Sequence, residues 1–418
     1  MNIPFAEPGW RSLQSPYYND SHRALQIQAR KFYEEEVFPF ADAWEEAGEP
    51  PVEVLRKIAA RGWLMPFVPV KYRPENQRES DERDIFHAII LQEEAHRCPR
   101  PGVIWGISAG LGIGAAPVIN FGSEEQRSRF LPPAYRGEER WCLGITEPEA
   151  GSDVAGIRTV ARLTHDKRFY IVNGTKKWIT GGLWADWMTA AVRTGGSSAA
   201  GISLLVIPLN SSGVKRRRIR VSGLHASGST FFEFNDVKVP VENLIGKEGD
   251  GFRLIMANFN PERFNLAVMS VQLARNCLEE AFNHAMTRKT FGKPLISHQI
   301  IRSKFASMIR AIESCHSWIE ELAWHIKITP NAYQQPAIGA RVALLKVQAG
   351  RVLELCVRES QQVFGGLGMT KDGKGKVVEQ ISRDMRVFVV GGGSEEILDD
   401  LSIRTILPSK QTERPAKL

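Results

Sequence analysis

The run Trp141-Cys142-Leu143-Gly144-Ile145 is short and apolar, reads as a buried strand, and is stopped by Pro148. Two hydroxyls, Thr146 and Ser152, flank the turn that follows, and Gly151 offers a backbone position free to take positive φ and approach a ligand closely. Hydroxyls and backbone N–H groups at such a turn can bind a flat, acceptor-rich ring system and a phosphate. An ordinary strand-to-turn join is an equal reading of the same residues. Further on, Trp178 stands among β-forming residues, where a tryptophan is more often core than ligand contact.

Other chemistries find little support. The five cysteines (Cys98, Cys142, Cys277, Cys315, Cys356) form no C-x-x-C pair, and the nine histidines show no metal-ligand spacing, so no metal site is expected. Gly110-Leu111-Gly112-Ile113-Gly114 follows no clear strand and runs into Ala-Ala-Pro, so it fails as a dinucleotide fingerprint and reads as close helix packing. The net charge of +7 suits an anionic partner, and coenzyme A phosphates would serve as well as nucleic acid. Lys215-Arg216-Arg217-Arg218-Ile219-Arg220 is the one dense basic run and reads first as a solvated loop.

The wording of the turn adds more than its residue types do. Thr146-Glu147-Pro148-Glu149-Ala150-Gly151-Ser152-Asp153 resembles the flavin-binding signature of the acyl-CoA dehydrogenase family, and further segments resemble it in order. Phe121-Gly122-Ser123-Glu124-Glu125-Gln126 with Leu131-Pro132 is similar to the segment that closes that family's N-terminal helical domain. Gly174-Thr175-Lys176-Lys177-Trp178-Ile179-Thr180-Gly181-Gly182 looks like its second flavin motif. Arg288-Lys289-Thr290-Phe291-Gly292 with Gln299, and Gln362-Val363-Phe364-Gly365-Gly366, resemble its next two blocks. Gly391-Gly392-Gly393-Ser394-Glu395-Glu396-Ile397 resembles the last.

The resemblance implies FAD as cofactor, with Trp178 covering one face of the ring, Thr180 bonding near N5 and Arg288 meeting the pyrophosphate. It assigns to the cofactor Ile145, Thr146, Gly151, Ser152, Trp178, Thr180, Arg288, Phe291, Gln299, Gln362, Gly365, Gly366, Ser394 and Glu396. The glycines after Gln362 would admit the dinucleotide of a neighbouring subunit, which implies a homotetramer or at least a dimer. Acyl-CoA is the implied substrate, with electron-transfer flavoprotein or O2 as acceptor. No metal is implied.

One departure matters. Many family members carry the catalytic glutamate immediately before a Gly-Thr, and that place is Gly392 here. A glycine cannot remove a proton. The isovaleryl- and long-chain-type members supply the base from a C-terminal-domain helix, just before an arginine, and that position is Glu262. The resemblance therefore implies Glu262 as base, Arg263 as its support or a substrate contact, and Asn260 and Ser152 as substrate contacts. Asn260 replaces the commoner Asp. Glu395 is the next acid that could serve. By residue type alone, Glu262 is a helix N-terminal acid beside Pro261 at the first helical position. Rival readings are an acyl-CoA oxidase or flavin monooxygenase relative using O2, and a non-catalytic nucleic-acid-binding relative.

These residues need elements to hold them. At 418 residues the chain exceeds one ordinary domain. Its 43% hydrophobic and 24% charged residues fit a soluble globular protein, and no apolar run reads as long enough to span a membrane. Helical spacing runs over 20–47, 54–60 and 84–96, with Ser123 and Gln126 forming a capping box. Short β-rich runs at 169–172, 188–192, 202–208 and 230–239 predict a small antiparallel β domain, with Asn173-Gly174 as a turn. Long helices follow at 254–286, 300–327 and 338–364. The expected fold is mainly α with a central β domain: an N-terminal helical domain (1–138), a small β-barrel domain (139–245) and a C-terminal four-helix bundle (246–418). Met1 to Trp10 resembles no transit or signal peptide, and Ala416-Lys417-Leu418 is one conservative change from a peroxisomal address. Peroxisome is expected first, cytosol second.

Overall fold

The computed structural model describes residues 3–77 and 83–407; Ala416-Lys417-Leu418 lies outside them. The helices α1 (Asp20–Glu36), α2 (Ala41–Ala47), α3 (Val52–Ala60), α4 (Ile85–His96), α5 (Pro101–Ile104), α6 (Gly110–Phe121) and α7 (Glu124–Tyr135) come first. Strands β1 (Trp141–Gly144), β2 (Val160–Leu163), β3 (Phe169–Ile179), β4 (Trp187–Arg193), β5 (Ile202–Pro208), β6 (Val214–Arg218), β7 (Thr230–Pro240) and β8 (Leu244–Ile245) follow. The long α8 (Gly251–Thr287) leads to a hairpin of β9 (Lys289–Thr290) and β10 (Lys293–Pro294). The last helices are α9 (Gln299–Ile328), α10 (Pro336–Phe364), α11 (Lys376–Val390) and α12 (Glu395–Ile406). The chain divides into two compact units, one of residues 1–35, 84–100 and 259–418, the other of 36–83 and 101–258.

The second unit is built on an eight-stranded sheet of order β6-β7-β3-β2-β4-β5-β8, with β1 beside β4. It is mixed rather than antiparallel. β1 and β2 both run parallel to β4, because the chain leaves β1 into a loop and the β2–β3 hairpin before β4 forms. Cys142, Tyr170, Val172, Met188, Val192, Leu205, Ile207, Phe232 and Phe234 form its buried core. Asn173-Gly174 is no turn. Gly174, at φ +146°, lies inside β3 at a bulge against β7, so the pair bends a strand instead of ending one. The basic run is no solvated loop either. Most of it is β6, where Arg216 donates to the carbonyls of Gly182, Leu183, Ala185 and Leu209, and Arg218 to that of Gly48.

The glycine cluster in α6 packs as its sequence suggests. A Cβ on Gly114 would lie 2.7 Å from the backbone of Cys142, and one on Gly110 2.9 Å from the carbonyls of Thr180 and Trp141. Helix α6 thus lies against β1 at backbone distance. A π-helical turn, Trp105–Ala109, joins it to α5. The whole stretch Pro101–Phe121 is, by length and composition, apolar enough to cross a membrane, contrary to the expectation from sequence. Most of it is buried, as in a core helix; scattered Gly, Ser and Asn hide it from a search for unbroken apolar runs. Ser123 caps α7 as expected: its hydroxyl accepts from Gln126 N–H at 3.2 Å, and its N–H donates back to Gln126 Oε1 at 3.0 Å. Gln126 Nε2 then ties α7 to the carbonyls of Glu242 and Leu244.

The first unit is helical. Its α1 stops at Glu36, and the helix expected to continue to residue 47 resumes, in residues of the second unit, as α2 after a short 3-10 turn that contains Pro39. Arg30 of α1 bonds Glu94 of α4 at 2.9 Å, and Asn276 of α8 bonds the His96 carbonyl at 2.7 Å. His22, Asp84 and His87 come within metal-ligand distance of one another, which histidine spacing did not foretell. Asp84 Oδ1 accepts from His22 Nε2 at 3.0 Å, His87 Nδ1 accepts from the Asp84 N–H at 3.1 Å, and Asp84 Oδ2 pairs with Lys327 Nζ at 2.7 Å, so all three groups are partnered within the protein.

Candidate functional site

Within the second unit, the turn after β1 is closed by reciprocal bonds between Glu147 and Ala150 (3.1 and 3.3 Å). Gly151 does not take positive φ, and a Cβ there would meet nothing within 4 Å. That correction has a simple reason: the Glu147–Ala150 pair already makes the turn. The buried carboxylate of Glu147 accepts from Arg158 N–H (2.6 Å), Thr159 N–H (3.1 Å) and the buried Lys176 Nζ (2.7 Å). Lys176 also donates to the Ile145 carbonyl at 3.0 Å. Burial pulls the Lys176 ammonium down to about 8, and Glu147 opposes this. This ion pair, unremarked in the sequence, braces the turn from inside.

The backbone of Lys177 donates to the Thr146 carbonyl at 2.9 Å, which sets the end of β3 beside that turn. A bulge between Lys176 and Ile179 places Trp178 at φ +64°, with its indole 53% exposed. A tryptophan in the left-handed region costs on the order of 1 kcal/mol, and exposing the ring forgoes its burial. The core reading of Trp178 is therefore excluded. Thr146 and Thr180 are half-buried and Ser152 is exposed, and no described residue bonds their hydroxyls. A half-exposed indole, with Lys177 Nζ 4.8 Å from its centroid, and three uncommitted hydroxyls fit a flat ring with acceptor atoms on its edge.

Helix α8 starts at Gly251, so Pro261, in the first unit, lies in its interior and Glu262 is no helix N-terminal acid. Part of the Glu262 side chain reaches solvent, but its Oε2 is buried without a hydrogen-bond partner. Burial raises the carboxyl to about 7, against the opposing charges of Arg263 and Lys346. Arg263 is 5% exposed; it donates from Nε to the Gly392 carbonyl (2.8 Å) and from Nη1 to Asn260 Oδ1 (3.0 Å). Burial lowers it to about 10. Asn260 Nδ2 donates to the Tyr333 carbonyl at 2.8 Å, so this amide is engaged at both ends. Gly392 has φ +67°, and a Cβ there would lie 3.0 Å from Leu266 and 3.5 Å from Arg263 Cγ. Lys346 of α10, 1% exposed, donates to the carbonyls of Val389 and Gly393. Sequence reading passed over Lys346. Its signal was a lone lysine in the apolar run Val342 to Val352.

The remaining residues lie at exposed ends of elements in the same unit. Arg288 opens the β9–β10 hairpin, whose tip carries Phe291, 95% exposed, with Gln299 starting α9. His284 stacks on Phe364 at 4.5 Å, and its pKa is lowered by burial and then by Lys374 and Arg288. Lys374 and Arg288 thus both lie near His284, and two such cations suit a phosphate. Gln362 is exposed; Gly365 caps α10 at φ +62°, and Gly366 has no neighbour that its missing side chain would touch. Ser394 and Glu396 start α12, where a backbone N–H and then the Ser394 hydroxyl lower the Glu396 carboxyl.

Comparison with known proteins bears on these features together. Models of the acyl-CoA dehydrogenase N-terminal, middle and C-terminal domains match residues 19–138, 142–237 and 249–407. The chain belongs to the acyl-CoA dehydrogenase family. Acyl-CoA dehydrogenase AFT10-1 of Alternaria alternata is 44% identical over 96% of this chain and 95% of its own. Acyl-CoA dehydrogenase apdG of Emericella nidulans is 41% identical over 97% and 95%. A crystal structure of a putative acyl-CoA dehydrogenase from Mycobacterium smegmatis superposes with TM-score 0.85 at 33% identity, covering 94% of this chain and 99% of that one. As a member of the acyl-CoA dehydrogenase family the chain is an oxidoreductase, with the family's order of helical, β and helical domains.

Proposed function

We propose that the protein removes two hydrogens from the α and β carbons of an acyl-CoA thioester, giving the 2-enoyl-CoA, with Glu262 as base. The observation that carries this is the Glu262 carboxylate: one oxygen buried and unbonded, proton affinity raised to about 7, and the alternative position occupied by Gly392. A thioester α-proton is weakly acidic, so its acceptor must be a desolvated carboxylate whose proton affinity lies near the working pH. FAD, the cofactor of this family, supplies a two-electron acceptor when bound. Thr146, Ser152, Trp178 and Thr180 would hold its ring, and Arg288 its phosphates. The chain's own part is geometry and polarity. Glu262 takes the α-proton, Arg263 fixes the glycine turn beside it, and the β-hydrogen leaves with its electron pair.

Anaerobic titration of the purified yellow protein with a panel of acyl-CoAs, following flavin absorbance, tests this reading. Bleaching in the wild type that is lost in Glu262→Gln, with FAD still bound, is the expected result. Its rate should rise with pH through about 7, because only the ionised carboxylate accepts a proton. Bleaching that survives in the variant would move the base elsewhere, with Glu395 tested next. Oxygen consumed rapidly during turnover would favour an oxidase, and electron-transfer flavoprotein is the acceptor proposed otherwise. The exposed hairpin tip at Phe291 supports assembly into a homotetramer, which sedimentation would reveal. The terminal Ala416-Lys417-Leu418 supports a peroxisomal address, readable from a fluorescent fusion with and without those residues.

A further inference from the structure

Three successive features of the glycine turn are held by cations from two helices. Lys346 of α10 donates to the carbonyls of Val389, in the last turn of α11, and Gly393, just before α12. Arg263 of α8 donates to the Gly392 carbonyl between them. Only two of the three Nζ–H bonds of Lys346 are thereby spent. Around the same ammonium stand two carboxylates, Glu262 from α8 and Glu395 from α12, each with one buried oxygen that has no hydrogen-bond partner. An ammonium sealed from solvent among apolar neighbours is costly unless it is fully used, and carbonyl bonds alone would be served by a neutral donor.

We propose that Lys346 is a positioning residue of the proton-transfer site: it clamps the turn Val390–Gly393 against α10, and its positive charge faces the carboxylate of Glu262. The clamp does two things. It keeps the turn in the positive-φ conformation that leaves the Gly392 carbonyl aimed at Arg263, which in turn fixes Arg263 next to Glu262. It also supplies the second of the two charges that oppose the effect of burial on Glu262; the first is Arg263. Lys346 is itself lowered to about 8, by burial first, with Glu395 opposing and Arg263 adding to the shift. Glu395 is shared in turn with Arg351, whose Nε lies 3.3 Å from its carboxylate. The charged groups facing this site are thus Arg263, Lys346 and Arg351 against Glu262 and Glu395.

This inference rests on Glu262 being the base, and the test separates the two. In the FAD-loaded protein, Lys346→Met removes the charge while keeping the length of the side chain, and Lys346→Arg restores the charge. The pH midpoint of flavin bleaching by a reactive acyl-CoA should move up by about one unit or more in the Met variant. The Arg variant should return it most of the way. The infrared carboxyl band that disappears in Glu262→Gln should titrate with the same displaced midpoint without any substrate, a change that a purely structural lysine would not cause. A folded Met variant with both midpoints unmoved would overturn the proposal.

If the Met variant does not fold, Glu395→Gln is the second arm. It leaves both carbonyl bonds of Lys346 in place and removes the competing carboxylate, so the Glu262 midpoint should fall. An unmoved midpoint there would also overturn the proposal. Bleaching that persists in Glu262→Gln would instead defeat the reading on which the inference rests.

Discussion

The residues Glu262 and Gly392 show how one position can exclude a side chain while another becomes suited to its role. Gly392 sits at φ +67° with Leu266 and Arg263 packed where a Cβ would go, so this turn has lost both the room and the conformation for a glutamate. Moving the acid back should therefore fail. Gly392→Glu placed in a Glu262→Gln background is expected to leave flavin bleaching at the level of Glu262→Gln alone. The same substitution by itself should lower stability by about 2 kcal/mol or more, from strained φ and overpacking together. Thermal melting and the anaerobic titration check the two halves. At this scale the sequence was legible in its exceptions. A glycine where an acid is common, and an acid before an arginine, pointed to Glu262. Lys346 was not legible, because a lysine inside an apolar helix looks like a residue reaching for solvent until the carbonyls around it are known.

Helix and strand ends were read well where the chain's own local chemistry sets them. The Ser123–Gln126 capping box and strand β5, found at 202–208 as expected, need nothing beyond neighbouring residues. The errors fall where a distant partner decides. Asn173-Gly174 would turn an isolated hairpin, but pairing with β7 on one side and β2 on the other keeps it in the sheet as a bulge. Pro261 would open a helix by itself, but the long helix expected over 254–286 runs through it, and α8 does so from Gly251 to Thr287. The glycines of α6 were read as packing residues because they lacked a preceding strand, and the reason is now physical: the backbone of β1 occupies the space of their side chains. Gly114→Ala should accordingly force α6 away from Cys142 and destabilise the protein by about 1–3 kcal/mol. Gly112→Ala, where a Cβ meets nothing, should be neutral or slightly stabilising through helix propensity. Comparing the two melting temperatures separates packing from propensity, since both glycines lie in the same helix. Equal effects would mean that close approach to β1 does not govern this helix.

Stability against pH belongs to the whole molecule, and here two buried groups on α4 act in opposite directions. His96, 1% exposed, is pushed down to about 4 by burial. Between about 6.5 and 4 the unfolded chain binds this proton and the folded one does not, so stability falls as pH falls through that window. Glu93, 6% exposed, is pushed up to about 7 by burial, with His316 and Arg275 opposing and Glu94 and Glu320 assisting. Between about 4.5 and 7 the folded chain keeps a proton that the unfolded chain has lost, so stability falls as pH rises. Each displacement corresponds to about 3 kcal/mol at most, and over the shared window the two contributions largely cancel. Glu262, raised to about 7 as well, would tilt the profile, so the comparison is made in a Glu262→Gln background, which should show a nearly flat melting temperature between pH 5 and 6.5 as far as His96 and Glu93 decide it. Below that window Asp84, Glu7 and Glu147 take over. Their folded-state pKa values are lowered because bonds and charges from His22, Arg30 and Lys176 outweigh burial, so their protonation removes stability toward strong acid. Glu93→Gln should unmask His96: the variant's melting temperature should fall steadily as pH drops from 6.5 to 5. His96→Gln should do the reverse and melt higher at pH 5 than at 6.5. Parallel profiles in the Glu262→Gln background with and without Glu93→Gln would show that the two groups do not compensate one another, and the flat window would need another cause.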